Sequence, residues 1–223
     1  MGSVPPAQSA SDLARLIDHT ILRPDAGCAE VLRYCDEARQ NHFCSVCVNP
    51  VHVPTVAKAL VGSNVLTCSV IGFPFGAIPT PVKAAEAAWV VAAGAGEVDM
   101  VIALGALKDG DFATVRDDIA QVKRACGRAV LKVILETCLL TEEEKITACR
   151  LSQEAGADFV KTSTGYSKGG ATVEDIALMR RIVGPTMGVK ASGGIRTRAD
   201  ALRMLEAGAS RIGASASIAI ISP

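Results

Sequence analysis

AGADFVKT, residues 155–162, decides the fold. A helical pattern stops on Ala155-Gly156-Ala157, and a short apolar run, DFVKT (158–162), follows at once. Glycine just past a helix end is the expected left-handed cap. The same joint recurs at Ala93-Gly94-Ala95 before EVDMVI (97–102) and at Ala207-Gly208-Ala209 before SRIGA (210–214). The runs that follow are continuously apolar rather than alternating. That is the pattern of parallel strands covered by helices on both sides.

Working outward from these joints gives eight strands. They are LIDHT (16–20), FCSVCV (43–48), VLTCSVI (65–71), EVDMVI (97–102), AVLKVILE (129–136), DFVKT (158–162), MGVKA (187–191) and SRIGA (210–214). Helical patterns lie between them. Thr141-Glu142-Glu143-Glu144 fits a capping box, and Thr172 and Thr197 stand where the next two helices need caps. Regular alternation of strand and helix implies a parallel sheet. Eight units in 223 residues fit an α/β fold of the single-domain (β/α)8 barrel type over residues 12–223. An open doubly wound sheet is the alternative, but no GxGxxG follows the first strand. The polar opening, MGSVPPAQSAS (1–11), reads as a disordered or vector-derived tail.

Composition narrows the function. Lys plus Arg and Asp plus Glu are both 23, and aromatic residues make up 4%, so no basic, base-stacking surface for nucleic acid is expected. No apolar run reaches membrane-spanning length. The eight cysteines are scattered through apolar segments, unlike a disulfide framework, which places the chain in a reducing cytoplasm. Cys44 and Cys47 form a CxxC inside a strand with no second pair at metal-site spacing. The histidines, His19, His42 and His52, form no HxH or HxxxH. No metal or other cofactor is expected. His19 is expected to pack near the active face, and the other two at the surface or at helix starts. AAWVVAAG (87–94) is apolar enough for either an interface between copies in a homo-oligomer or helix-to-barrel packing.

In a barrel of this kind, catalytic groups belong at the carboxyl ends of strands. Four charged residues interrupt strands: Asp99, Lys132, Lys161 and Lys190. Singly, each reads as half of a structural ion pair. Four on neighbouring strands point to a site. Two ammonium groups roughly 5 Å apart repel by about 3 kcal/mol at an effective dielectric of about 20. That is roughly two pKa units, enough to bring one lysine toward neutrality. A neutral lysine attacks carbonyl carbon and forms a Schiff base, whose iminium accepts the electrons of a breaking carbon–carbon bond. Asp99 is placed to shuttle protons at a substrate hydroxyl. Lys132 lies deeper, with a supporting electrostatic or structural role. Spacing leaves open whether Lys161 or Lys190 is the nucleophile.

Two glycine turns complete the picture. SGGIRTRAD (192–200) and IGASAS (212–217) each open onto a helix, and they follow strands seven and eight. Helix starts offer free N–H groups to anions, and barrels often seat phosphate between these two loops. Gly165 contributes from the sixth loop.

Together IDHTILRPDA, EVDMVI, LKVILET, FVKTSTGYSKGGAT, VKASGGIRT and RIGAS resemble the deoxyribose-phosphate aldolases over nearly the whole chain after the first dozen residues. The resemblance implies a metal-free Schiff-base barrel. Such enzymes reversibly split 2-deoxy-D-ribose 5-phosphate into D-glyceraldehyde 3-phosphate and acetaldehyde. It implies that Lys161 is the Schiff-base lysine, Lys190 the second lysine and Asp99 the aspartate of the proton relay. Asp18 would organise the donor end, with Lys132 and Thr162 beside the substrate, and phosphate would rest on Gly165, Gly193, Gly194, Gly213 and Ser215. Three positions depart from the family pattern. Arg23 stands where lysine is usual, and Ala216 where many members have a second serine. The chain stops at Ser222-Pro223, where some relatives carry a terminal tyrosine, so that proton-transfer role is absent or filled by water. The rival readings are a Schiff-base aldolase for another phosphosugar and a phosphosugar-binding barrel without catalysis. Cys47, at the end of a strand, is expected near the aldehyde and open to reaction with unsaturated products.

Overall fold

A computed structural model describes residues 9–222. Most of the expected tail, residues 1–8, lies outside the described residues. Ser9 caps α1 (Ala10–Ala14), so helix begins just inside the stretch set aside as tail. The chain then runs through β1 (Ile17–Ile21), α2 (Cys28–Asn41), β2 (Ser45–Val48), α3 (Val53–Ala59), β3 (Leu66–Ile71), α4 (Thr80–Ala92) and β4 (Glu97–Val101). It continues through α5 (Leu104–Lys108), α6 (Phe112–Cys126), β5 (Val130–Ile134), α7 (Glu142–Glu154), β6 (Phe159–Lys161), α8 (Val173–Val183), β7 (Gly188–Ser192), α9 (Arg198–Glu206), β8 (Arg211–Ala214) and α10 (Ser217–Ile221).

Every strand pairs in parallel with the next, and β8 pairs back to β1. The open doubly wound alternative is thereby excluded, because the sheet has no edge. The joints that revealed the repeat behave as capping physics requires. Gly94, Gly156 and Gly208 all have positive φ. In each case the following alanine N–H reaches back to a carbonyl five residues earlier: Ala95 to Val90, Ala157 to Ser152 and Ala209 to Met204. That is the Schellman closure. Thr141 and Thr197 make full capping boxes, and Thr172 caps α8 through the Asp175 N–H.

The apolar core lies between the strands and the helices, with Val46, Val98, Leu131, Val133, Val160, Val189 and Ile212 fully buried. In AAWVVAAG, Ala87 and Val90 pack inward, whereas Ala88 and Trp89 are exposed. The interior of the barrel is different in kind. Strand residues that alternate with the core set point inside, where a cluster of charged side chains shares the space with Ser45 and a small apolar group of Leu22, Cys47, Cys68 and Val70.

Candidate active site

Period-two alternation on β4 turns both Glu97 and Asp99 inward. Neighbouring strands supply Asp18, Lys132, Lys161, Lys190 and Arg211. Lys161 and Lys190 are direct cross-strand partners in the β6–β7 register. Both donate to one oxygen, Asp99 Oδ2, at 2.8 and 2.7 Å. Lys132 donates to the other, Oδ1, at 2.8 Å. Below them Lys132 Nζ lies 2.7 Å from Glu97 Oε2, and Lys190 Nζ 2.5 Å from Asp18 Oδ2. Arg211 Nη1 closes the ring on Asp18 Oδ1 at 2.7 Å and Glu97 Oε2 at 2.9 Å. Four cations thus face three carboxylates.

Burial alone would push these groups toward their neutral forms, but the neighbours outweigh it. Burial raises the Asp99 pKa, yet Lys132, Lys161 and Lys190 together hold it well below the usual carboxylate range. Asp18 is likewise held low against burial, chiefly by Lys190 and Lys132. Lys190 stands above the ordinary lysine value: burial lowers it, and Asp18 and then Asp99 more than compensate. The bare repulsion between two lysines expected from sequence is therefore corrected. A carboxylate sits between them and keeps Lys190 charged. Lys161 touches only one carboxylate oxygen, which it shares.

Above this ring a cavity of about 330 Å³ opens at the carboxyl ends of the strands. Lys161 lies in its wall, and Gly165, Gly193, Gly194, Gly213 and Ser215 line it too. All five residues expected at the phosphate seat therefore line the same cavity as the lysine. Gly165, Gly193 and Gly194 have positive φ. The N–H groups of Gly165, Gly193, Gly194 and Ser215 meet no acceptor among the described residues. The helix start of α9 is a different matter. Asp200 Oδ2 already accepts from the N–H groups of Arg196 and Thr197, so that terminus is filled by its own side chains. Donors for an anion come from the loops, not from this helix end.

Other expected residues lie elsewhere. Asp18, Asp99, Lys132 and Lys190 form the floor beneath the cavity. Thr162 is buried, and its hydroxyl donates to Ser192 O at 3.0 Å and accepts from Ser192 N at 3.0 Å, locking β6 to β7. Arg23 does line the cavity, while pairing with Asp25 and Glu30. His19 points away from the barrel interior. It stacks on Tyr34 at 4.2 Å and bonds Glu37 at 2.8 Å, so it sits one side chain back from the cavity. Cys47 is fully buried beside Cys68 and does not line the cavity, which leaves it less open to unsaturated products than its place at a strand end suggests. Two buried donor sets have metal-ligand chemistry: Cys47, Cys68 and Asp99, and Asp18, Cys68 and Glu97. Lysine ammonium groups already hold the same carboxylates and compete with any cation there.

Several residues escaped the sequence reading. Glu97 and Arg211 stand at strand starts, where a charge looks solvent-bound. The i, i+2 spacing of Glu97 to Asp99 was the available signal. Arg196, in the cavity wall with no ion pair among the described residues, followed the glycine pair in plain view. Tyr166 donates to Leu22 O at 2.8 Å and meets Phe73 edge-on at 5.4 Å, bracing loops across the mouth. Nothing in the sequence marked Glu136, which is buried at the end of β5 with φ 56°.

Comparison with known proteins converges on one family. The model of the DeoC/LacD family aldolases matches residues 13–220. A deoxyribose-phosphate aldolase of Rhodospirillum rubrum is 69% identical over 217 residues, covering 97% of this chain and 91% of the relative. One from Brevibacillus brevis is 60% identical over 211 residues, covering 95% and 96%. Among solved structures, the tetrameric deoxyribose phosphate aldolase of Aeropyrum pernix superposes with a TM-score of 0.89 at 38% identity, covering 96% of this chain and 91% of that one.

Proposed function

The chain belongs to the DeoC/LacD family of aldolases, and from that premise we propose the roles of the individual residues. The activity is that of a deoxyribose-phosphate aldolase, a metal-independent lyase acting through a lysine Schiff base. The observation that carries the assignment is the shared Asp99 oxygen between Lys161 and Lys190 beneath a cavity lined by free backbone N–H groups.

Lys161 is the nucleophile. Of the three lysines it alone lines the cavity, and it has the smallest share of carboxylate. Loss of one proton leaves the ring of four cations and three carboxylates neutral. The Lys161 amine adds to C1 of the open-chain sugar, water leaves, and an iminium forms. A base takes the C3 hydroxyl proton, the C2–C3 bond breaks, and its electron pair moves into the iminium to give an enamine. D-Glyceraldehyde 3-phosphate departs. Protonation of the enamine carbon and hydrolysis then release acetaldehyde and restore the amine.

Lys190 and Asp99 serve the proton transfers. Asp99 is too weak a base to hold a proton by itself, because three ammonium groups stabilise its anion. It acts as a hub that orients Lys190 and Lys161 and lets a proton taken up on one side be released on the other. Phosphate is held by the N–H groups of Gly165, Gly193, Gly194 and Ser215, with Arg196 and Arg23 adding charge at the rim. Gly213 has a second duty: a β-carbon there would stand 2.9 Å from Lys190 Cε.

Borohydride reduction in the presence of acetaldehyde, followed by peptide mass mapping, tests these roles. An ethyl group on Lys161, absent from Lys161→Ala, is the expected result. An adduct confined to Lys190 would reverse the two lysines, and none on either would sink the assignment.

A further inference from the structure

Among the described residues, Glu136 is the one buried carboxylate at the mouth of the barrel that the reaction above leaves unused. Its backbone has φ 56° and ψ 61°, a left-handed conformation that non-glycine residues seldom adopt. Strain of this kind persists where the surroundings impose it, and it clusters at functional sites. The side chain is 2% exposed, yet it meets no lysine or arginine among the described residues. All its bonds go to one residue. Thr164 N donates to Oε2 and Oε1 at 3.3 and 3.4 Å, and Thr164 Oγ1 donates a short bond to Oε2. The chain on either side is fixed as well: Leu135 N donates to Lys161 O at 2.9 Å and Thr137 N to Thr162 O at 3.0 Å.

This arrangement decides what Thr164 can offer. A hydroxyl has one donor and two acceptor positions. The proton is committed to Glu136, a carboxylate that can only accept. One lone pair is taken by Tyr166 N at 3.0 Å. A single acceptor position remains, and Thr164 lines the cavity within three residues of Lys161. An acceptor there is useless for phosphate, which is itself an acceptor, and suited to a hydroxyl.

We propose that Glu136 is a positioning residue that polarises Thr164, so that its hydroxyl accepts a hydrogen bond from a hydroxyl of the sugar chain between the carbonyl and the phosphate. Glu136 thereby makes the site select hydroxylated substrates. The inference rests on Lys161 being the Schiff-base lysine, which the trapping experiment tests independently.

The test uses three single variants and one double variant. Glu136→Asn suits the left-handed backbone, but its side chain is one carbon too short to reach Thr164. Glu136→Gln keeps an acceptor in reach, and Thr164→Val removes the hydroxyl. Glu136→Asn should lower kcat/KM for 2-deoxyribose 5-phosphate roughly 10-fold, the size of one hydrogen bond to the substrate, in a protein that a thermal melt shows to be folded. Acetaldehyde, which carries no hydroxyl, should still be trapped on Lys161 at the wild-type rate. Glu136→Gln should stay near wild type, and the Glu136→Asn/Thr164→Val double variant should be no worse than Thr164→Val alone. Unchanged cleavage by Glu136→Asn would overturn the proposal. So would a parallel loss of acetaldehyde trapping, or losses that multiply in the double variant. If wild-type protein gave no adduct on Lys161, the lysine assignment would fall first and this inference with it.

Discussion

Lys190 shows how far a single residue's chemistry depends on what lies behind it. A lysine with no exposed surface would ordinarily lose its charge. Here Asp18 and Asp99 hold it charged, and its side chain must pass Gly213 to reach them. Glycine at 213 is needed for that passage, since a β-carbon would stand 2.9 Å from Lys190 Cε and 3.1 Å from Ser192 Cβ. Gly213→Ala is therefore expected to fold, because its backbone is ordinary strand, and to lose activity through a displaced ammonium. A misplacement on the order of 1 Å can cost about 100-fold in rate. Steady-state kcat alongside a thermal melt checks this. Full activity in a folded variant would show that Lys190 tolerates the shift. From sequence, the two lysines could only be seen as mutually repulsive, because the carboxylate between them comes from a strand 62 residues before Lys161.

Among the elements, β4 carries more than its length suggests. It brings Glu97 and Asp99 to the interior, and its last carbonyl, Val101 O, accepts from Lys83 Nζ at 3.0 Å. Lys83 lies on α4, fully buried, and pairs with Asp118 of α6 at 2.7 Å. This buried pair fastens two helices to the strand end just past Asp99. Removing one partner strands the other charge in the core. Asp118→Ala should cost about 3–5 kcal/mol, whereas replacing both Lys83 and Asp118 by apolar residues should recover most of it. Urea unfolding of the single and double variants measures the difference, and equal losses in both would argue that the pair itself stabilises the fold. The strands were legible in the sequence to within a residue or two because glycine caps and capping boxes punctuate them. Short α5 was not, since LGALK sits between β4 and α6 without a cap that binds its first turn. Glu136 was hidden for a similar reason: nothing in VILET announces a left-handed backbone.

In the whole molecule, barrel closure separates two environments. Apolar packing holds the helices to the outside of the strands, and the inside holds the ion ring beside a small apolar cluster of Leu22, Cys47, Cys68 and Val70. The sequence exposed the first through its unbroken apolar runs. It showed only part of the second, because Asp18, Glu97 and Arg211 each look like solvent-facing charges until β8 meets β1 and encloses them. The cavity wall was legible for a different reason: each glycine turn is a short local motif, and the strand count put the turns after strands six, seven and eight at one mouth.

The depth at which the charges lie has a consequence for how the enzyme meets its surroundings. Mobile ions screen exposed charges over about 8–10 Å at ordinary ionic strength, and reach buried pairs far less. The ring around Asp99 is sealed, whereas Arg196 and Arg23 stand at the rim, the latter with 55% of its side chain exposed. Added salt should therefore act on capture and not on bond cleavage. KM for the phosphorylated sugar should climb between dilute buffer and about 0.5 M sodium chloride, where the screening length falls below roughly 5 Å, while kcat holds nearly level. A kcat that fell with salt would mean that electrolyte enters the barrel. Salt would then sort the molecule into an outer shell that senses the medium and an inner one that works in its own.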